Sequence, residues 1–264
     1  MTPMLRAMRA LLAVTIAEFA EYRALTFIWM LAGTLPIIMM FVWIGAAGTG
    51  EVAGYDAADF ARYFMLAFLT GQLVQVWVIW SLDEQIRLGR MSILLVRPID
   101  PFWALVAHNL IGNGTRLPIA LAVTAIGLAL GGAFTGLPWH RLPLFALSLA
   151  GAWMIAFNLN YALGLLSLWT DRAIALEGWY YVVSTVLAGE LFPLDLLPAD
   201  LRAVVDCTPF PYIVNVPVEI MTGGMTLDEA ATALAIQLLW ALAFIAAHRL
   251  LWRLGLRRYG AVGA

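Results

Sequence analysis

Runs of about twenty apolar residues recur along the chain, and short charged or proline-rich segments separate them. Hydrophobic residues make up 63% of the sequence and charged residues only 12%, whereas a soluble domain carries roughly 25% charged residues. A helix needs about 20 apolar residues to cross a bilayer, while a barrel strand needs only about 10 with alternating polarity. The sequence therefore predicts an all-α membrane protein.

Six of these runs are long enough to be transmembrane helices. Arg116 lies inside the third apolar region, and an arginine at the centre of a span costs about 2.5–3.5 kcal/mol. Residues 117–136 alone supply a full span, so we place Arg116 at the cytosolic boundary and residues 102–115 in the interface. An intramembrane Arg116 stays open as the alternative. The predicted spans are residues 24–44, 60–80, 117–136, 142–168, 173–189 and 230–251.

The segments outside the spans differ in charge between the two sides. Most of the arginines fall on the side of the N-terminus, and the positive-inside rule makes that side cytosolic, with both chain termini. Before the first span, apolar residues recur at helical spacing among arginines and glutamates. Residues 1–23 are therefore predicted to form an amphipathic helix in the membrane interface.

Residues 190–228 lie between spans five and six on the predicted extracellular side. They are too apolar for a solvated loop, and Pro193, Pro198, Pro209, Pro211 and Pro217 break any lipid-facing helix. A re-entrant extracellular helical hairpin, dipping into the membrane and covered by protein, satisfies both facts. A structured extracellular cap without a role in transport is the alternative.

The cytosolic loop at residues 83–101 interleaves apolar residues with arginines. This pattern predicts a short amphipathic helix that ends at Pro98 and Pro101. It is either a coupling element that docks into a soluble partner or an ordinary positively charged anchor.

Polar side chains also occur within the spans. Gln72 and Gln75 share one helix face in the second span, and Tyr180, Tyr181, Ser184 and Thr185 lie in the fifth. They either form interhelical hydrogen bonds, at about 0.6 kcal/mol each, or line a pathway.

Several functions are disfavoured by composition. All fifteen basic residues are arginine, so the phosphate-binding lysine of a Walker A loop is missing and ATP hydrolysis must come from a separate chain. The net charge of −2 gives no basic surface for nucleic acid. Cys207 is the single cysteine, and the histidines show no metal-ligand spacing. Glu177 and Glu190 flank the fifth span near opposite membrane faces. Since every acidic residue falls near a predicted boundary, a proton-driven carrier is disfavoured.

Four stretches carry a family resemblance. They are IRLGRMSILLVRPIDP (86–101), GELFPLDLLPADL (189–201), TPFPYIVNVPVEIMTGG (208–224) and LWRLGLRRYGAVGA (251–264). In this order and between these spans, they make the chain resemble an ABC-2 type permease, the six-span membrane subunit of a bacterial ABC exporter. The resemblance covers most of the chain and implies one permease domain over residues 1–264, in the bacterial inner membrane.

The resemblance also implies partners and site residues. Such a permease pairs with a second permease, identical or different, and with two ABC ATPase subunits that hold ATP and magnesium, so no cofactor is expected on this chain. The residues implied to meet the ATPase are Arg87, Gly89, Arg90, Leu94, Leu95, Arg97 and Pro98. Those implied to line the translocation path are Gln72, Gln75, Tyr180, Tyr181, Ser184 and Thr185. Those implied to form the extracellular gate are Glu190, Phe192, Pro193, Leu197 and Pro198.

The expected function is ATP-driven export of a hydrophobic or amphiphilic substrate, such as a drug, a lipid-like molecule or a glycoconjugate. An ion-coupled secondary transporter is the alternative, and an intramembrane enzyme would need a polar constellation that the sequence does not show.

Overall fold

The structure is a computed structural model that describes residues 28, 31, 33–96, 100–170 and 173–262, with side chains described to residue 257. The predicted interfacial helix at residues 1–23 lies outside these residues, as do Arg97, Pro98 and Arg172. The described part of the chain is helical and forms no β-strand beyond one isolated bridge between Val52 and Tyr55.

Ten α-helices follow one another in the described residues. Short 3-10 turns at Phe134–Gly136, Trp139–Arg141, Leu166–Leu168 and Leu194–Leu196 lie between them. The helices are α1 Leu35–Ala47, α2 Ala57–Val74, α3 Val78–Arg87, α4 Met91–Leu95, α5 Pro101–Leu130, α6 Leu142–Leu165, α7 Ala173–Leu187, α8 Ala199–Asp206, α9 Asn215–Thr222 and α10 Leu227–Val262.

Four helical segments are long and apolar enough to cross a membrane: Ala57–Arg87, Pro101–Leu130, Trp139–Leu168 and Leu227–Arg257. They correspond to predicted spans two, three, four and six. Helices α1 and α7 fall at the positions of spans one and five, but they are shorter apolar helices. At 1.5 Å per residue they extend only about 20 Å, against a hydrocarbon core of about 30 Å.

Local sequence explains where the long helices begin. Asp56 and Asp59 form a reciprocal capping box at the start of α2, which satisfies two orphan backbone N–H groups. Asp100 accepts a hydrogen bond from the backbone N–H of Phe102, and Pro101 occupies the first turn of α5. Polar loop residues therefore fix the first turns of α2 and α5.

Helix α6 lies at the centre of the bundle and packs against α2, α3, α7, α9 and α10. Helix α2 is the most enclosed span and contributes fully buried aromatic side chains such as Phe60 and Phe64. Helix α5 approaches α2 closely at Gly127 and Gly131, where an added Cβ would overlap Met65 and would lie 2.7 Å from the Cβ of Ala61. This small-residue spacing is typical of packed membrane helices.

The third apolar region differs from the prediction. Residues 101–130 form one continuous helix, α5, so residues 102–115 are not a separate interfacial element. Arg116 lies within α5, is buried, and donates to the side chain of Gln75 just beyond the end of α2. The depth of Arg116 in the bilayer stays a prediction.

The predicted loop at residues 83–101 is also shorter than expected. Asp83 belongs to α3, which continues to Arg87, and Pro101 already belongs to α5. A turn at Gly89, which has a φ of 67°, leads into the short α4. Glycine suits that left-handed conformation because it has no Cβ.

The proline-rich segment between α7 and α10 forms two short helices, α8 and α9. Helix α9 is buried along most of its length and packs against α2 and α6. Gln237 of α10 holds the segment in place, since its side-chain amide donates to the carbonyl of Tyr212 at 2.7 Å. The segment therefore consists of a buried helix, α9, and a largely exposed helix, α8.

Candidate functional site

The second span is broken inside the protein. Helix α2 ends at Val74, and α3 begins at Val78, with Gln75 in an extended conformation between them. The local sequence, LVQVWVIW, alternates valines with other residues, and β-branched residues lower helix propensity. A break leaves the last four carbonyl groups of α2 without partners in their own helix.

Side chains of α5 satisfy one of these carbonyl groups, that of Leu73, and also contact Gln75 just beyond the end of α2. The amide of Asn113 donates to the carbonyl oxygen of Leu73 at 2.7 Å, and the amide of Asn109 donates to that of Gln75 at 3.0 Å. The guanidinium of Arg116 donates to the side-chain oxygen of Gln75 at 2.5 Å. Helix α5 therefore stabilises the non-helical backbone of its neighbour.

Sequence reasoning missed this role. It assigned residues 102–115 to the interface and Arg116 to the boundary without a contact to the second span, and in the structure Asn109, Asn113 and Arg116 all contact the break. Their spacing of four and three residues was the available signal, because it puts them on one face of a helix.

On its other side, the break borders a cavity of about 180 Å³. Residues of α2, α7, the break itself and the region before α9 line it. The six residues that the resemblance implied for a translocation path all lie in its wall: Gln72, Gln75, Tyr180, Tyr181, Ser184 and Thr185. The structure thus brings these six residues together, although they come from α7 and from the broken second span.

Two acidic residues also line this cavity. Glu177 lies one turn inside α7 and is only 9% exposed, and Glu190 follows the end of the same helix. The part of α7 between them, from Glu177 to Leu187, is about 15 Å long. Glu177 was expected near a span boundary, and the structure shows that its side chain is also buried. Burial raises the pKa of Glu190 to about 7.

The residues implied to meet an ATPase lie at the end of the bundle that carries Arg87. Arg87 pairs with the buried Asp83 at 2.8 Å, and Arg90 pairs with Glu84 at 3.3 Å. Leu94 is partly buried, whereas Leu95 is exposed. The exposed apolar residues of this segment, called here the α4 patch, are Leu88, Ile93, Leu95 and Val96.

The residues implied for a gate lie at the opposite end, which we call the hairpin end. Phe192 and Leu197 are partly buried, Pro193 is buried and Pro198 is exposed. The backbone beside them is held from α1, because the indole of Trp43 donates to the carbonyl of Leu191 at 2.8 Å. Glu190 lies where this segment meets the cavity.

A polar network joins the hairpin end to α2. The hydroxyl of Tyr63 contacts both the carbonyl of Gly189 and the side-chain oxygen of Asn215, at 2.9 Å each. Asn215 donates to Glu219 at 2.5 Å, and Glu219 lies 3.6 Å from the guanidinium of Arg202. The loop after α7, the buried α9 and α8 are thus held as one unit.

Metal chemistry finds no support in the described part of the chain, where no cluster of three histidine, cysteine or carboxylate side chains could hold an ion.

Comparison with known families identifies the chain. A family model described as ABC-2 family transporter protein matches residues 27–263. The chain belongs to that family: it is a multi-pass membrane protein and the permease component of an ABC transporter, which works with ABC ATPase subunits. A comparison with curated proteins gives no match.

Proposed function

We propose that the chain is a permease subunit of an ATP-driven ABC exporter in the bacterial inner membrane. With a second permease, identical or different, it forms a path for a hydrophobic or amphiphilic substrate, and two separate ATPase subunits supply the energy and hold ATP and magnesium. The single observation that carries this proposal is the cavity beside the break. Six polar and aromatic residues of two helices meet there, in a chain of the ABC-2 family.

The proposed topology has six crossings with both termini in the cytosol. Four crossings are the span-length segments, and α1 and α7 supply the other two. Ile28 and Leu31, which precede α1 and are also helical, are proposed to belong to the first crossing. The positive-inside rule supports the orientation, because the arginine-rich segments share the side of α4.

The α4 patch is the proposed docking surface for the ATPase. Four large apolar side chains are exposed there, beyond the charged end of α3, and an exposed apolar cluster with a polar rim is typical of a protein interface. Arg87 and Arg90 form the rim. Because they are already paired within this chain, the apolar residues supply most of the binding energy in this proposal.

The hairpin end is the proposed extracellular gate. Helix α9 is too short to span, at 8 residues, yet it is buried between α2 and α6. A re-entrant hairpin accounts for both facts, since broken backbone is tolerated at membrane depth when protein covers it. In this role Phe192, Pro193, Leu197 and Pro198 lie between the cavity and the outside.

Co-purification with the ATPase tests the proposal. Val96 is 83% exposed in the α4 patch, whereas Val204 is 66% exposed at the hairpin end, so Val96→Asp and Val204→Asp form a matched pair. We expect the first variant to lose the ATPase subunits and transport, and the second to retain both. Equal retention by the two variants would contradict the docking assignment.

Ion-coupled transport is the second candidate, and buried Glu177 is the observation that favours it. Proteoliposomes that hold only permease chains separate the two candidates. Transport driven by an ion gradient without any ATPase would reject the exporter, whereas strict dependence on ATP and the ATPase would reject the carrier.

A further inference from the structure

The cavity beside the break has an acidic and aromatic wall. Glu177 and Glu190 are its charged residues, and no arginine or histidine is among the described residues that line it. Trp77, Tyr180 and Tyr181 supply three aromatic rings. Carboxylates and aromatic faces together are the groups that recognise organic cations, through ion pairing and cation–π attraction.

Glu177 lacks a partner that would explain its burial. It is 9% exposed, and its Oε2 atom is buried without a hydrogen-bond partner in the described protein. The indole of Trp80 contacts the carboxyl group, but no basic side chain forms an ion pair with it among the described residues. A buried carboxylate is costly unless a positive charge pairs with it, and a cationic ligand in the cavity supplies that charge.

The size of the cavity limits what fits. Its volume is about 180 Å³, compared with roughly 300–1,000 Å³ for pockets that enclose a drug-sized molecule. An apolar cavity of about 150 Å³ holds one benzene ring. The cavity therefore accommodates a compact head group and not a whole amphiphile.

The rest of such a ligand has an apolar surface to follow. Tyr181 lines the cavity and is also 52% exposed, so the wall continues onto the outer face of α7. Trp179, Val182 and Val186 are exposed on the same short helix. A head group at Glu177 and an apolar tail along α7 describe an amphiphile.

We propose that this cavity binds the head group of a cationic amphiphile, with Glu177 as its counter-ion, Glu190 at the far end and the aromatic rings around the charge. The inference rests on the proposed transport function and names the chemical class of its substrate. Ser184 and Thr185, which are buried in the same wall, complete the polar side of the site.

Binding of benzyltrimethylammonium to the full chain in phosphatidylcholine nanodiscs tests the proposal. Neopentylbenzene is the matched probe, because it has the same shape with carbon in place of the charged nitrogen. Equilibrium dialysis of radiolabelled probes gives both affinities after subtraction of binding to empty nanodiscs. We expect the cation to bind at least tenfold more tightly than the neutral probe, and equal affinities would overturn the proposal.

Substitutions locate the site. We expect Glu177→Gln, which keeps the shape of the side chain, to weaken cation binding at least tenfold and to leave the neutral probe unaffected. Glu51→Gln is the control, since Glu51 is exposed in the loop between α1 and α2, and it should bind like the unaltered chain. Unchanged binding by the Glu177→Gln variant would reject the site, and the comparison of probes on the unaltered chain does not depend on how any variant folds.

These outcomes are separable from those of the proposed function, because dialysis needs no ATPase. Cation binding without any ATPase association would keep the site and remove the exporter. ATPase-dependent transport with no preference for the cation would keep the exporter and remove the site.

Discussion

Asn113→Ala tests whether α5 holds the broken span. Asn158→Ala is an unusually close control: both asparagines are buried, and each donates from its side-chain nitrogen to a backbone carbonyl at 2.7 Å. The two acceptors differ. The carbonyl of Leu73 lies in the last turn of α2 and has no partner in that helix, whereas the carbonyl of Met154 lies inside α6 and keeps its helical hydrogen bond.

The expected magnitudes follow from this difference. Asn113→Ala leaves a buried carbonyl without a partner, which costs about 1–3 kcal/mol. Asn158→Ala removes only an additional bond within the membrane protein, worth about 0.6 kcal/mol. Both variants lose the same side-chain atoms, so the truncation terms largely cancel. We expect Asn113→Ala to be the more destabilising by about 1 kcal/mol or more.

Steric trapping in bicelles measures the free energy of unfolding of each variant under conditions close to native. The unaltered chain and both variants should be compared in one lipid composition, because the reference state also finds hydrogen-bond partners in the membrane. If the two variants were equally destabilised, within about 0.5 kcal/mol, the asparagines of α5 would not be stabilising the break, and the reasoning about Leu73 would be refuted.

Three further predictions use the same measurement. Gly189 has a φ of 88°, and a Cβ there would overlap a tyrosine hydroxyl of α2. Gly189→Ala should therefore destabilise the protein by about 2 kcal/mol or more. Gly178→Ala, in an open position inside α7, should be neutral or stabilise the protein by up to about 1 kcal/mol. Asp83→Ala should cost about 1–3 kcal/mol of stability, because the carboxylate is 1% exposed and also accepts a hydrogen bond from Ser167. Glu84→Ala should change stability by less than about 0.5 kcal/mol, since its ion pair is exposed. Gly131→Val should destabilise by about 1–3 kcal/mol through overpacking between α2 and α5, and unchanged stability would contradict the close approach of these helices.

The sequence was informative where the length of an apolar run decides whether a helix forms. Span four was predicted at residues 142–168, and the structure has a helical segment that ends at Leu168. Apolar length and flanking polar residues suffice there, because a segment that faces lipid must satisfy its backbone hydrogen bonds within its own helix. The polar residues of spans two and five stood out because a glutamine or a serine is costly among lipid-facing residues, and the resemblance implied that they line a path.

The break in the second span could not be found in this way. The run from Phe60 to Trp80 contains neither proline nor any loop signal after Gly71, and its valines only lower helix propensity slightly, so its local sequence does not place a break. The break is stable because Asn109 and Asn113 of another helix satisfy two of its backbone carbonyls, while Arg116 holds the side chain of Gln75. These hydrogen bonds are tertiary contacts, and the local sequence of the second span does not reveal which other helix provides them. The shared cavity of Glu177 and Glu190 was missed likewise, since two ends of one helix were assumed to face different compartments.

The position of the break links the two ends of the proposed mechanism. Helix α3 runs without interruption from the break to Arg87, and α4 follows after one turn. Near the α4 end of α3, the carboxylate of Asp83 accepts a hydrogen bond from Ser167, which follows α6. At the other end of α3, Gln75 in the break lines the cavity. A displacement of α4 by a bound ATPase would therefore move α3 as a short lever, and the non-helical residues at the break would absorb the change in angle. In that arrangement the first residues to move would be those in the cavity wall, while α2 stays fixed among its buried aromatic side chains.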